Sequence, residues 1–217
     1  MKRVSLVLAV VILLFGLAGC GSNAADDVKI EGELQDLVSR IYEIYNARED
    51  VKYALAEIED IGALRSELSE IIYAPDNGLS EGEIAELQAE LDELQQLYNE
   101  LSKFRIPFTF EQDLTQEGGQ FNPISYFLGA DDIPFAEGVA SEAAIGAQAY
   151  SLVLLRMEAN ADIEAAKTKI KNGVDPMKWI CAGVDPSDVI VDNLGDLVIL
   201  IMADSSKALH ESFLELY

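Results

Sequence analysis

The stretch VIVDNLGDLVILIM, Val189–Met202, decides the fold. Val189-Ile190-Val191 and Leu197–Met202 are aliphatic runs rich in β-branched residues. Asp192-Asn193-Leu194-Gly195-Asp196 between them is a turn composition, so the whole reads as a β-hairpin. Working back, Tyr150–Met157 (YSLVLLRM) is another strand, and a weaker one over Val139–Ile145 precedes it with a turn near Gly146. Between the two pairs, Asn160 is placed to cap a helix over Ala161–Lys171. Ile163, Ala166 and Ile170 face inward, and Asn172-Gly173 closes it. A last helix follows Asp204-Ser205 and buries Leu209, Phe213 and Leu216. The order β-β-α-β-β-α predicts an α+β fold, a small antiparallel sheet with helices on one face.

Between helix and hairpin lies GVDPMKWICAGVDPSD, Gly173–Asp188, which says Gly-Val-Asp-Pro twice around the only Trp and the second of two cysteines. Gly173 ends a helix, where a left-handed residue is expected. Asp175 before Pro176 reads as a cap followed by proline at the first helical position, which predicts a short helical turn over Met177-Lys178-Trp179-Ile180. Asp185-Pro186-Ser187-Asp188 repeats the device before the next strand. The alternative, two carboxylates gripping a cation across Trp179, suffers because a capping aspartate spends its lone pairs on backbone N–H groups. The doubled motif therefore reads as turns.

The N-terminal half is helical. Leu34, Leu37, Val38, Ile41, Ile44 and Tyr45 recur at three- and four-residue steps. The rhythm runs on through Val51, Leu55, Ile58 and Ile61, falters at Gly62, and resumes to Ile72 before Pro75-Asp76-Asn77-Gly78 stops it. Ser80 and Glu83 fit a capping box, and Ile84, Leu87, Leu91, Leu94, Tyr98 and Leu101 then step at heptad spacing. Two such stripes joined by a short loop predict an antiparallel helical hairpin. From Phe104 to Phe135, proline and glycine punctuate aromatic residues, which reads as irregular chain draped on a core.

The first residues bear on location. Lys2 and Arg3 precede an apolar run, Val4–Phe15, and Leu17-Ala18-Gly19-Cys20 closes it with small residues before a cysteine. Run length and flanks are those of a secretory signal over residues 1–19. The Leu-Ala-Gly-Cys tetrad resembles the lipobox of bacterial lipoproteins. That resemblance implies cleavage before Cys20 and lipidation of its thiol, with residues 20–30 as a tether on the extracytoplasmic face of the cell membrane. Two acyl chains anchor stably where one is marginal.

Of the 217 residues 39 are acidic and 15 basic, a formal net charge of −24; loss of Lys2 and Arg3 takes it to −26. Such a surface repels polyanions, so nucleic acid is excluded as a partner. With Cys20 acylated, Cys181 has no partner in the chain, and no disulfide framework forms. Cys181 as a nucleophile needs a base, and the sole histidine, His210, sits on the last helix with nothing to bring the two together; a packed thiol is expected. Zinc-type clusters of His and Cys are lacking. Asn77–Gln88 resembles a calcium loop at Gly82 and Ile84 only, with Leu79 at a ligand position and Gln88 in place of the bidentate Glu. No catalytic, cofactor-binding or metal residue is expected, and Cys20 alone stands as a modification site.

The segments YFLG, ASEA, AYSLVLLR, DPMKWIC and GDLVILIM, in that order from Tyr126, resemble a family of small lipoproteins from Gram-positive anaerobes with a domain of unknown function (four-three-five-eight). Glu31–Tyr45 (EGELQDLVSRIYEIY) is similar to that family's opening helix. The chain departs from that family at Asn46–Lys103, which reads as a helical hairpin inserted in a helical region over 31–103, ahead of an α+β domain over 104–217. The resemblance transfers no activity, cofactor or catalytic residue. Two function classes follow from the residues. One is a non-enzymatic surface module binding a protein, peptide or envelope component; the other is an extracytoplasmic hydrolase that uses carboxylates alone.

Overall fold

In the computed structural model, residues 29–75, 77–116 and 122–217 are described. The chain enters at Ile30 and forms α1 (Leu34–Ala47), α2 (Glu49–Tyr73) and α3 (Glu81–Ser102). The break between α1 and α2 falls at Arg48, whose extended backbone (ψ 139°) interrupts the helix, while Gly62, the expected weak point, lies inside α2. Arg48 is held there by Asp50 (3.2 Å) and Glu211 (2.6 Å). Glu49 and Asp50 then suit the positive end of the new helix. The Ser80–Glu83 capping box closes in both directions at the start of α3.

Beyond α3 come β1 (Thr109–Asp113), α4 (Pro123–Leu128), β2 (Phe135–Ala143), β3 (Ser151–Met157), α5 (Ile163–Gly173), β4 (Val189–Leu194), β5 (Leu197–Met202) and α6 (Ser206–Leu214). The sheet is antiparallel throughout, in the order β1-β2-β3-β5-β4. The α+β class, the antiparallel sheet and the helical hairpin are as the sequence predicts. β1 and α4 are additions to it, in the segment expected to be irregular. The β4–β5 loop is shorter than expected: Leu194 pairs with Leu197, leaving Gly195 (φ 58°) and Asp196 as the two turn residues.

Helices cover both faces of the sheet, where the sequence reading places them on one. Side chains alternate along a strand, so the unbroken apolar runs of β3 and β5 need cover on each side. On one face Leu152, Leu154, Ile199 and Ile201 pack against α1 and α6, through residues such as Leu37, Ile41 and Phe213. On the other, Val153, Leu155, Val198 and Leu200 pack against α4, α5 and the segment after α5 through Phe127, Ala166, Ile170 and Trp179. Tyr42 ties α1 to the sheet, donating to Ser141 Oγ (2.8 Å) and accepting from the Tyr150 hydroxyl (3.0 Å).

The hairpin joins this core at its base only. Val51 is buried among α1 and sheet residues, with Leu55, Phe104 and Ile106 against them, and the Tyr45 hydroxyl donates to the Phe104 carbonyl (2.6 Å). Farther out, α2 and α3 pack on each other, and α3 has no fully buried residue.

At the other end of the sheet Arg156 fastens the incoming chain. Its guanidinium donates to the carbonyls of Ile30 (2.7 Å) and Gly32 (2.8 Å) and pairs with Asp196 (3.0 Å) and Glu137 (3.3 Å). Asp196 in turn accepts from the Ile30 N–H (3.2 Å).

Candidate functional site

The expected signal segment and Cys20 lie outside the described residues. The two Gly-Val-Asp-Pro copies are turns. Asp175 Oδ1 accepts from the Met177 N–H (2.8 Å), and Asp185 Oδ1 accepts from the Ser187 N–H (2.8 Å) and hydroxyl (2.7 Å). The second copy forms a 3-10 turn, Pro186–Asp188, whereas the first makes a single hydrogen-bonded turn, Lys178 N–H to the Asp175 carbonyl (3.3 Å), and not the helical turn over Met177–Ile180 expected. The Ser187 hydroxyl, with its N–H, holds Asp185 below the usual carboxylate range.

Gly173 has no left-handed backbone, contrary to expectation; close approach explains it. A Cβ on Gly129 would stand 2.0 Å from the Gly173 carbonyl carbon, and one on Gly173 would stand 2.6 Å from the Gly129 oxygen. The ends of α4 and α5 therefore touch backbone to backbone, which only glycine permits.

Cys181 is exposed and left-handed (φ 58°), so it is not the packed thiol expected. Trp179 turns into the core, and the chain must reverse immediately afterward, which leaves Cys181 outside. His210 is paired with Asp192 (2.8 Å), and the His210 contact holds that carboxylate low; Lys167 is 3.6 Å from its other oxygen. Asn77 accepts from the Leu79 N–H and belongs to the start of α3.

What the turns position is the residue pair between them. Lys178 and Trp179 both reach a carboxylate on β2, Glu142. Lys178 Nζ is 2.9 Å from Glu142 Oε2, and Trp179 Nε1 donates to Oε1 at 2.6 Å. The Lys178 and Glu142 side chains are 6% and 4% exposed, and Tyr126 also hydrogen-bonds to Glu142. The ammonium lies 4.5 Å from the Tyr126 ring centre, 4.6 Å from Phe127 and 5.0 Å from Trp179, with Ser151 Oγ at 3.5 Å. Burial lowers the Lys178 pKa and the Glu142 charge opposes that shift. Burial likewise raises Tyr126.

Sequence reasoning missed this constellation, treating Lys178 as part of a helical turn. The available signal was an acid inside the small apolar run GVASEAAIGA, which no alternation explains.

Around it the surface is apolar. Phe108 is 82% exposed and Ile180 73%, with Met177, Ile145 and Phe110 also exposed. They come from the start of β1, the β2–β3 loop and the bend after α5. The Ile180 N–H donates to the Gly146 carbonyl (2.8 Å) and the Ala144 N–H to the Phe108 carbonyl (2.9 Å), so these three segments are stitched together. The anchored pair below and this rim above form the candidate site.

Cavities also lie elsewhere among the described residues. A groove of about 660 Å³ runs between α2 and α3, bordered by Arg65, Ser69, Glu70, Tyr73, Asp92 and Gln95. A space of about 200 Å³ lies between the α3–β1 connection and β3, where burial raises Asp204. Among the described residues no group of three or more His, Cys, Asp or Glu side chains is placed to hold a metal ion, and no helix is long and apolar enough to cross a membrane.

Compared with known proteins, the chain matches no family model, no curated protein and no solved structure.

Proposed function

We propose that this chain is a membrane-tethered surface lipoprotein, anchored through acylated Cys20 and similar to the Gram-positive lipoproteins with domain of unknown function four-three-five-eight. Its sheet domain serves as a non-enzymatic module that binds a protein, peptide or envelope component. The observation that carries the binding reading is the pairing of a rigid buried anchor with an exposed apolar rim. Lys178, the most deeply buried cation in an ion pair, is spent on Glu142 and aromatic rings, while large apolar side chains stand in solvent directly beside it. Exposed apolar groups held on a fixed frame are the usual mark of an interaction surface. A carboxylate-only hydrolase needs two acids facing one cavity with one pKa raised. Asp204 is raised in its cavity and is the only acid bordering it among the described residues.

The test has two arms. A fatty-acid probe should label the native chain and not Cys20→Ser; equal labelling of both removes the anchor. Photo-crosslinkers placed at Ile180 and at Lys169, on the α5 surface, should give a discrete adduct in native cells from the first position only. Equal yields from both positions would remove the binding surface.

A further inference from the structure

The two edges of the sheet are finished differently. Along β4 the outward carbonyl of Val189 accepts from Lys171 Nζ, and side chains flank the strand on both faces: Lys167 Nζ donates to the Asn193 side chain (2.6 Å), and Asp192 pairs with His210 of α6. Such cover is how native sheets protect an edge from added strands. β1, the opposite edge, pairs with β2 alone. Among the described residues no side chain hydrogen-bonds to its outer backbone groups.

The pairing pattern says which groups those are. The Ala144 N–H bonds to the Phe108 carbonyl and the Leu114 N–H to the Gly138 carbonyl. Bonded and non-bonded pairs alternate in antiparallel sheets, so residues 108, 110, 112 and 114 spend their backbone groups on β2. Thr109, Glu111 and Asp113 therefore direct N–H and C=O outward. Side chains follow the register. Phe110 stands across from Glu142, which puts Phe108 and Phe110 on the face of Lys178 and Tyr126. Thr109 and Glu111 stand across from Ala143 and Ser141 and lie on the α1 face.

Glu111 is exposed and has no ion-pair partner among the described residues, whereas the Asp113 carboxylate is taken up by Thr115 and Gln116. We infer that the β1 edge accepts an extended, basic peptide strand from a partner, with residues alternating between apolar side chains over Phe108 and Phe110 and a Lys or Arg beside Glu111. The inference rests on the binding-module reading and gives it a place and a partner chemistry. Main-chain bonds supply affinity in such strand addition, and alternate side chains supply selectivity. A second copy is the poorer occupant. Antiparallel pairing of β1 with itself about its centre would set Glu111 opposite Glu111, and like charges directly opposed are destabilising. Both copies would also carry the same large negative charge.

The test uses the soluble chain from residue 21 and two end-blocked eight-residue peptides of one composition. One alternates lysine and valine; the other carries the four lysines and four valines in separate blocks. At near-physiological salt, titration calorimetry should show saturable binding of the alternating peptide at least tenfold tighter than of the block peptide. Glu111→Pro removes one outward N–H at a position where an edge strand tolerates proline. Folding checked by circular dichroism, it should weaken binding tenfold or more, and Phe108→Asp should do the same.

Equal binding of the two peptides would reduce the effect to net charge and overturn the inference. Binding unaffected by Glu111→Pro would place the partner elsewhere and overturn the site while leaving the binding-module reading intact. Concentration-dependent dimerisation that Glu111→Pro abolishes would make a second copy the occupant, against the proposal. No binding of either peptide, with the Ile180 crosslink still formed in cells, would overturn the edge assignment alone.

Discussion

Removal of the Lys178–Glu142 pair is the sharpest perturbation the structure offers. Lys178→Met takes away the ammonium and leaves a carboxylate that is 4% exposed, still accepting from Trp179 at 2.6 Å. Glu142→Leu leaves an ammonium among three rings with Ser151 Oγ at 3.5 Å, and it removes the acceptor of both the Trp179 N–H and the Tyr126 hydroxyl. Each single change strands one buried charge, which costs about 3–5 kcal/mol. The double variant strands no charge. What remains is the loss of Glu142 as acceptor for the Trp179 N–H and the Tyr126 hydroxyl, and an imperfect fit, about 3 kcal/mol together. The two losses therefore fail to add by several kcal/mol.

Urea unfolding at pH 7 measures this, with the slope against urea unchanged if only the folded state is affected. Trp179 is the sole tryptophan and sits at the pair, so its fluorescence and the far-ultraviolet dichroism should give coincident transitions. Losses that add within about 0.5 kcal/mol would refute the reasoning, since that is the behaviour of independent sites. pH supplies a second check. Burial already holds Lys178 below the ordinary lysine value, and without Glu142 its main opposition is gone, leaving the weaker pull of Asp175. The unfolded chain then binds a proton that the folded one has released, so stability rises with pH below the ordinary lysine pKa. The gap between Glu142→Leu and the native chain should narrow from pH 7 to 9. A constant gap would mean that Lys178 does not carry the cost.

Other consequences are simpler to read. Arg156→Met should cost about 1.5–3 kcal/mol and speed hydrogen exchange at the Ile30 amide, because both carbonyl contacts are lost and Asp196, its acceptor, loses the guanidinium that positions it. Burial raises Tyr42, Tyr45 and Tyr150 above the usual phenol value. Their contribution is whole below about pH 10 and is lost as pH climbs toward the folded values, so alkaline unfolding and ionisation of these phenols should coincide in an absorbance titration. Cys181→Ala should change stability by no more than about 0.5 kcal/mol, as for an exposed position, and one thiol of the native chain from residue 21 should react with an aromatic disulfide reagent.

Hydrophobic period and turn chemistry carried most of the architecture. The hairpin around Gly195 and the capping box at Ser80 were legible because each is a local decision, whereas α5 is capped by Asp162 and not by Asn160. β1 was missed although Phe108, Phe110 and Leu114 alternate with polar residues. The dense proline and glycine around them drew the reading toward irregular chain. α4 was missed despite Asn122 before Pro123 and Gly129 after Leu128, the same cap grammar recognised at Asp175. Cover on both sheet faces was legible in principle from the unbroken apolar run of β5. The Lys178–Glu142 pair was not, because it joins residues 36 apart through register and packing, and nothing local marks which lysine goes inside. Gly173 shows the converse case: the glycine was noticed, and its cause, contact with Gly129, is tertiary.

The sheet has a direction that bears on how a tethered binder works. β3 runs from Ser151, beside the loop that carries Ile145 and Gly146, to Arg156, which clamps Ile30. These six residues of strand separate the two ends by about 17 Å. The N-terminal chain therefore enters at one end, while Phe108 and Ile180 gather at the other. On the proposed anchoring through Cys20, the chain from the lipid joins the domain at the clamped end, and the apolar rim lies at the end opposite that junction. Aromatic groups meant to sit in the lipid headgroups would be expected on the tether side, accompanied by Lys and Arg. Here they lie on the opposite side of an acidic domain, next to a strand edge whose outward backbone groups meet no side-chain partner among the described residues. That placement favours a partner arriving from outside over a second contact with the membrane.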